Sequence, residues 1–108
     1  MRNIFRILRG RSDENRGRLL SARMHSTNLA FGKALRTLRR ARRTTQRDLA
    51  VSARLDRSYI SLLERGESSP TLATMLAICR GLGISLADMA SEVERELAFS
   101  HKTLLDDH

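Results

Sequence analysis

The chain has 108 residues, 41% of them hydrophobic and only 4% aromatic, so it can form one small domain with an aliphatic core. Its net charge of +8 points to a polyanionic partner such as DNA, RNA or an anionic membrane surface, although an inert basic surface is the alternative. One cysteine excludes a disulfide framework or a multi-cysteine zinc site, and no apolar run approaches the roughly 20 residues of a membrane span.

The charge is unevenly distributed along the chain. Residues 1–32 carry seven basic and two acidic side chains, and residues 33–65 carry ten basic and three acidic ones. Residues 66–108 carry three basic and seven acidic side chains. We therefore expect a polyanion to contact the first two-thirds of the chain and to avoid the last third.

Residues 1–27 show no sustained helical or strand period, and the polar stretch GRSDENRGR contains glycine. We predict a basic, flexible N-terminal arm here, followed by a domain over residues 28–98 and a C-terminal tail over residues 99–108. The alternatives for the arm are a segment that wraps DNA, the start of a transit peptide and an amphipathic helix on a membrane surface.

A helical pattern begins at Asn28. The stretch NLAFGKALRTLRRARR places apolar residues near one face and arginines around the rest, which is typical of an amphipathic helix. The apolar residues are Leu29, Phe31, Leu35 and Leu38. The arginines also fit a merely solvated face.

A second helix is predicted from about Gln46 to Ala53. The stretch TQRD resembles a capping box, with Thr45 as the N-cap and Asp48 three residues later. After a short break, Asp56 is expected to cap a third helix that ends near Glu64.

Two further helices complete the predicted fold. Thr71 is expected to cap LATMLAICRGL, which Gly83 ends, and Ser85 to cap a fifth helix over about 86–98. Cys79, between apolar neighbours, fits a buried structural thiol in a reducing compartment. Since no strand-like alternation appears, the predicted class is all-α with five helices.

The second and third helices are joined so tightly that they must cross at a steep angle, as in a helix-turn-helix over about residues 46–65. If Ile60 and Leu63 face the core, the other side of the third helix presents a mixed polar and apolar surface. That surface comprises Arg57, Ser58, Ser61, Leu62 and Arg65. Arginine can bond guanine bidentately, serine can reach several bases, and leucine can contact a thymine methyl group.

Residues 35–90 resemble the Cro-type, or XRE, helix-turn-helix family of phage-repressor-like DNA-binding proteins. The resemblance rests on the motifs TQRDLA, RSYISLLERG, SSPTLATMLAI and GISLADM, and it covers about half of the chain. It implies a five-helix repressor-like domain whose partner is double-stranded DNA. Because no acid–base constellation, metal-ligand spacing or phosphate loop appears, we expect no enzymatic activity, cofactor or metal site.

The resemblance implies particular roles for residues of the two central helices. The expected base contacts are Arg57, Ser58, Ser61 and Leu62. The expected phosphate contacts are Thr45, Gln46, Tyr59 and Arg65, and free N–H groups at the start of the second helix also favour a phosphate there. Arg39 and Glu64 correspond to a pair that ties the first helix to the third. Arg54 stands where the family often has glycine.

The fifth helix carries apolar residues at three- and four-residue steps. They are Leu86, Met89, Val93 and Leu97, which predict a dimer interface or, alternatively, the closing side of the monomer core. Because one domain reads only a few base pairs, specificity usually requires two copies on half-sites about 34–36 Å apart.

We therefore expect a cytoplasmic transcriptional regulator, most simply a repressor that binds a two-fold symmetric operator as a homodimer. The alternatives are an antitoxin whose main partner is a toxin and a restriction–modification controller protein.

Overall fold

The computed structural model describes residues 2–106, with side chains described for residues 15–100. They form five helices: α1 (Arg2–Ala41), α2 (Gln46–Ala53), α3 (Arg57–Glu64), α4 (Leu72–Leu82) and α5 (Leu86–Asp106). No strand occurs among the described residues, so the predicted all-α fold is confirmed.

Side-chain caps fix the starts of α2 and α4. The Thr45 hydroxyl accepts a hydrogen bond from the Asp48 N–H at 3.0 Å, and the Thr71 hydroxyl accepts one from the Thr74 N–H at 3.1 Å. Each cap satisfies a backbone donor that has no partner within its helix. Asp56 occupies the N-cap position of α3 as predicted, but its side chain forms no capping hydrogen bond.

The corner between α4 and α5 is also fixed by local bonds. Gly83 ends α4 with φ of +68°. The Asp88 N–H donates to the Ser85 hydroxyl at 3.0 Å, and the Ser85 N–H donates back to the Asp88 carboxylate at 3.3 Å. This reciprocal pair is a complete capping box, so α5 begins immediately after the corner.

No single described helix is long and apolar enough to cross a membrane; only α4 and α5 together, bent by 106° at their break, reach that length and composition.

The core lies between the second half of α1, the three short helices and the first turns of α5. Its largest fully buried side chains are Leu35, Leu49, Ile60, Leu63, Ile78 and Met89. Cys79 is buried as predicted, and its sulfur lies 3.7 Å from that of Met89. The core is therefore aliphatic and sulfur-rich, with Phe31 as its one buried aromatic residue among those described.

α1 begins at Arg2 and not at Asn28, so the prediction that residues 1–27 lack helical structure is wrong for the described residues. Side chains 15–27 are all exposed, but Leu20 and Met24 line a groove whose other wall is α5. Arg, Leu, Ala and Met, all good helix formers, supply much of this segment, and no proline interrupts it. The predicted boundary at residue 27 thus falls inside a helix.

α5 extends to Asp106, beyond the predicted end near residue 98, because residues 86–106 contain neither glycine nor proline to end it. The predicted tail is therefore helical as far as it is described; residues 107–108 lie outside the description.

The apolar stripe of α5 mainly closes the monomer core. Met89 is only 1% exposed and belongs to the core, which corrects its placement in a dimer interface. Leu86 and Val93 are half-buried against the same core, and Leu97 alone of the four is 38% exposed. A spacing of three and four residues predicts a buried face but does not tell whether the partner is the same chain or another.

Candidate nucleic-acid interface

α3 has one buried face and one exposed face. Ile60 and Leu63 are completely buried, whereas Arg57 and Ser58 at the start of the helix are exposed and Leu62 is 36% exposed. The core therefore holds the buried face of α3 and leaves the side chains of Arg57, Ser58 and Leu62 facing solvent.

The end of α3 carries its own polar cluster. The Arg65 guanidinium donates to the Ser61 hydroxyl, and it also donates to the Glu67 carboxylate at 3.1 Å. Ser61 is half-buried, and Tyr59 packs partly buried against the core. Arg65 is thus held along the exposed side of the helix.

A polar concavity of about 380 Å³ lies beside the first turns of α2 and α3. Its lining residues are Arg39, Thr45, Gln46, Arg47 and Arg57, so it contains no acidic side chain. The guanidinium groups of Arg47 and Arg57 and the N-terminal end of α2 make it electropositive. Arg47 was not among the predicted site residues; its position directly after Gln46 was the only signal in the sequence.

Glu64 joins three helices behind the exposed face. Its side chain is fully buried and accepts from Arg39 at 2.7 and 2.9 Å, so the predicted pair is brought together. It also accepts from Gln46 at 3.2 Å and from Arg36 at 3.4 Å. These last two bonds were not predicted, because they depend on how α1 and α2 pack together.

The hydrogen bonds explain how Glu64 remains charged inside the protein. Burial raises the pKa of Glu64, but the bonds from Arg39, Gln46 and Arg36 outweigh it and hold that pKa below its usual value. The hydrogen bond to Glu64 in turn raises the pKa of Arg39. The buried carboxylate is therefore matched by the largely buried guanidinium of Arg39, and all its described contacts come from donors.

Gly32 permits the close approach of α1 to the end of α3. A Cβ atom at this position would lie 2.5 Å from the Leu63 carbonyl oxygen and 2.6 Å from that of Glu64. Only glycine fits such an approach of one backbone to another. Sequence analysis did not single out Gly32, although a glycine inside an amphipathic helical pattern is a signal of close packing.

The turn between α2 and α3 has the left-handed backbone expected of this motif. Arg54 has φ of 58° and ψ of 44°, and its N–H donates to the carbonyl groups at the end of α2. A side chain in this conformation costs on the order of 1 kcal/mol relative to glycine. Arg54 thus satisfies the turn geometry with some backbone strain.

This fold and this exposed face define a helix-turn-helix protein, and comparisons with known proteins agree. The Helix-turn-helix family model HTH_3 matches residues 35–89. The control protein C.MunI of a Mycoplasma species is 34% identical over 74 residues, which cover 68% of this chain and all of that protein. The immunity repressor of Bacillus phage phi105 is 34% identical over 64 residues, covering 59% of this chain but only 44% of the repressor.

A solved structure gives the same result. The restriction-modification controller protein C.AhdI from Aeromonas hydrophila is 35% identical and superimposes with a TM-score of 0.56, covering 57% of this chain and 94% of its own. The chain therefore belongs to the helix-turn-helix family, and it is a DNA-binding transcriptional regulator.

Proposed function

We propose that this regulator is a repressor that binds a two-fold symmetric operator as a homodimer, with α3 in the major groove. The observation that carries the proposal is the division of α3 into a face fixed by the core and by Glu64 and an opposite face open to solvent. A helix that contacts bases in the major groove needs both faces, because its exposed side chains discriminate between bases only when the helix itself is held in a fixed position.

The exposed face supplies three kinds of base contact. Arg57 suits guanine, Ser58 suits several bases, and Leu62 suits a thymine methyl group. Ser61 can contribute as well, because its oxygen accepts from Arg65 while its own O–H remains available as a donor. These residues occupy two turns of one helix and span a few adjacent base pairs.

The concavity beside α2 suits a backbone phosphate. Thr45 and Gln46 begin the helix, and Arg47 and Arg57 add positive charge. Gln46 gives one amide N–H to Glu64 and keeps the second for a phosphate oxygen. Tyr59 and Arg65 are proposed to contact the DNA backbone on the other side of α3. Phosphate contacts of this kind fix the orientation of α3 without reading sequence.

The comparisons favour one second candidate, a restriction–modification controller protein. The match to C.MunI spans the whole of that control protein, and C.AhdI is itself such a controller. Both candidates are proposed to bind DNA through the same face of α3, so they differ only in the genes that they regulate. Expression of the genes next to the operator, measured with and without the protein, distinguishes the two candidates: regulated restriction and modification genes there would indicate the controller.

Selection of bound duplexes from a random DNA pool at near-physiological salt tests the proposal. Recovery of a two-fold symmetric site is the expected result. Binding without any preferred sequence, and with a steep loss as salt rises, would reduce the interaction to phosphate contacts and contradict the proposed operator binding.

Arg57→Ala is expected to weaken binding to the selected operator by about 1–3 kcal/mol and to relax the preference at one base position in each half-site. The loss of a bidentate contact to one base is the physical reason. Titration of the operator and of duplexes altered at single positions measures both effects. Arg80→Ala, which removes an exposed arginine from α4, is the matched control. Equal base discrimination by the Arg57 variant and the wild type would exclude Arg57 from base reading.

A further inference from the structure

Three polar side chains form a hydrogen-bonded cluster at the end of α3. Arg65 donates through Nη1 to the Ser61 hydroxyl and through Nε to the Glu67 carboxylate at 3.1 Å. Its Nη2 atom lies 3.0 Å from the same carboxylate oxygen. Ser61 and Arg65 are already proposed to contact DNA, whereas Glu67 is not, so those contacts do not explain the part that Glu67 plays in the cluster.

The backbone holds Glu67 in its place beside α3. Gly66 has φ of +73°, and a residue in this left-handed conformation turns the chain back on the helix that it ends. The Gly66 N–H donates to the Leu63 carbonyl at 3.1 Å, and the Glu67 N–H donates to the Leu62 carbonyl at 3.0 Å. A Cβ atom at Gly66 would lie 2.7 Å from Cδ2 of Leu29, so the turn also packs against α1. The carboxylate therefore projects from a fixed turn.

The bond from Arg65 determines how Ser61 can interact with a base. A serine hydroxyl has one O–H donor and two lone pairs, and its hydrogen rotates to suit its neighbours. Because an N–H of Arg65 occupies one lone pair, repulsion turns the hydroxyl hydrogen away from the guanidinium. A hydroxyl held in this way favours a base acceptor, such as N7 or O6 of guanine or O4 of thymine, over the amino groups of adenine and cytosine.

We propose that Glu67 is a positioning residue for base recognition: it holds Arg65, and Arg65 orients the Ser61 hydroxyl as a donor toward a base acceptor. The guanidinium is planar and rigid, so a carboxylate on one side of it fixes the direction of the N–H groups on the other. At least one N–H on each of Nη1 and Nη2 is left for a backbone phosphate. The inference rests on the proposed operator binding, and it requires no contact between Glu67 and DNA.

Base preference at a single pair tests the proposal. Ser61→Ala first identifies the pair that Ser61 contacts, as the position of the selected operator where discrimination falls. Glu67→Ala should lower discrimination at that same pair roughly three- to tenfold, because a released Arg65 leaves the hydroxyl free to rotate. Titration of the operator and of duplexes altered at that pair measures the effect.

Glu67→Gln is the matched control, since it removes the same charge but keeps a carbonyl oxygen that can accept from Arg65. It should leave discrimination at the Ser61 pair within about twofold of the wild type. Both Glu67 variants should bind unrelated duplexes at least as tightly as the wild type, because each loses a negative charge beside the DNA. A variant that failed to fold would instead bind every duplex weakly, and circular dichroism checks the folding of each variant.

Arg65→Ala tests whether Glu67 acts through Arg65. This variant should lose discrimination at the same pair, and the addition of Glu67→Ala to it should cause no further loss. The side chains of Arg65 and Glu67 are 51% and 54% exposed, so these substitutions do not open the core. Losses that add together in the double variant would contradict action through Arg65.

Three further results would overturn the proposal: discrimination unchanged by Ser61→Ala, discrimination unchanged by Glu67→Ala, or an equal loss in Glu67→Ala and Glu67→Gln. A two-fold symmetric operator recovered alongside any of these results would still support the proposed function. Failure to recover any preferred sequence would overturn the proposed operator binding and the role of Glu67 together.

Discussion

The two halves of α1 form one continuous helix but differ in what surrounds them. Residues 28–41 include Ala30, Phe31, Ala34 and Leu35, which are at most 4% exposed, and their backbone touches α3 at Gly32. Residues 15–27 have no buried side chain, and a Cβ at Gly17 would meet nothing within 4 Å. The inner half is therefore held by packing, and the outer half by helix propensity and a shallow contact with α5.

The two halves of α1 therefore have different roles in the structure. The inner half fixes α3, because Arg36 and Arg39 reach Glu64 from it. The outer half carries exposed charge and apolar surface and contributes nothing to the core. Substitutions in the inner half should therefore disturb the core and destabilise the fold, whereas substitutions in the outer half should leave the core undisturbed.

Glu64→Ala should cause the largest loss, about 3–5 kcal/mol in the free energy of unfolding, because it leaves the largely buried Arg39 without its partner. Urea denaturation followed by circular dichroism measures this loss. Glu67→Ala, which removes an exposed carboxylate paired with Arg65, should cost less than about 1 kcal/mol. A Glu64 variant as stable as the wild type would show that α1 does not depend on this pair to hold α3.

The Glu64 carboxylate also makes the stability of the fold depend on pH. The pKa of Glu64 is lowered in the folded state, so its charged form stabilises the fold above the usual value of 4.5. That contribution is lost as the pH falls from this value through the lower folded pKa, since protonation removes the charge that Arg39 requires. Glu64→Gln should flatten this part of the stability profile relative to the wild type.

Gly32→Ala and Gly17→Ala make the same change in the two halves of α1 and should have opposite effects. At Gly32 the added methyl meets the backbone of α3 and should destabilise the protein by about 1–3 kcal/mol. At Gly17 it meets open space and should stabilise the helix by about 0.5–1 kcal/mol. Thermal denaturation of both variants measures the effects, and equal shifts of the same sign would remove the distinction between the two halves.

Arg54→Gly should stabilise the protein by on the order of 1 kcal/mol at most, by relieving the left-handed backbone in the turn. Part of the gain is offset by the greater freedom of glycine in the unfolded chain. The turn lies outside α1, so this substitution does not alter the packing of either half of α1. Thermal denaturation of the variant therefore measures the effect of backbone strain in the turn on the stability of the protein. A loss of stability would indicate that the Arg54 side chain itself stabilises the turn.

The sequence predicted the central helices well because their ends are set by local chemistry. Thr45, Thr71 and Gly83 act on backbone groups within a few residues, and the helix boundaries fall where these residues place them. The buried pair Ile60 and Leu63 followed from helical spacing in the same way. Local signals of this kind do not require knowledge of the rest of the fold.

The remaining features depend on contacts between distant segments. Gln46 bonds Glu64 only because α2 packs beside the end of α3, and Met89 is core only because α5 packs against α1 and α4. Taken over its whole length, α1 has only a weak apolar period, so the helical state of its outer half was not visible from periodicity. The proposed roles in DNA contact follow from family resemblance and exposure, and they remain predictions.

The separation between the hydrogen bonds of Glu64 and the exposed side chains of Arg57, Ser58 and Leu62 has a consequence for how this protein can diverge. The residues that anchor the helix and those that face outward share no hydrogen bond among the described contacts. Exchange of the outward residues therefore leaves the scaffold intact, so a descendant can acquire a new operator through a few substitutions without first acquiring extra stability.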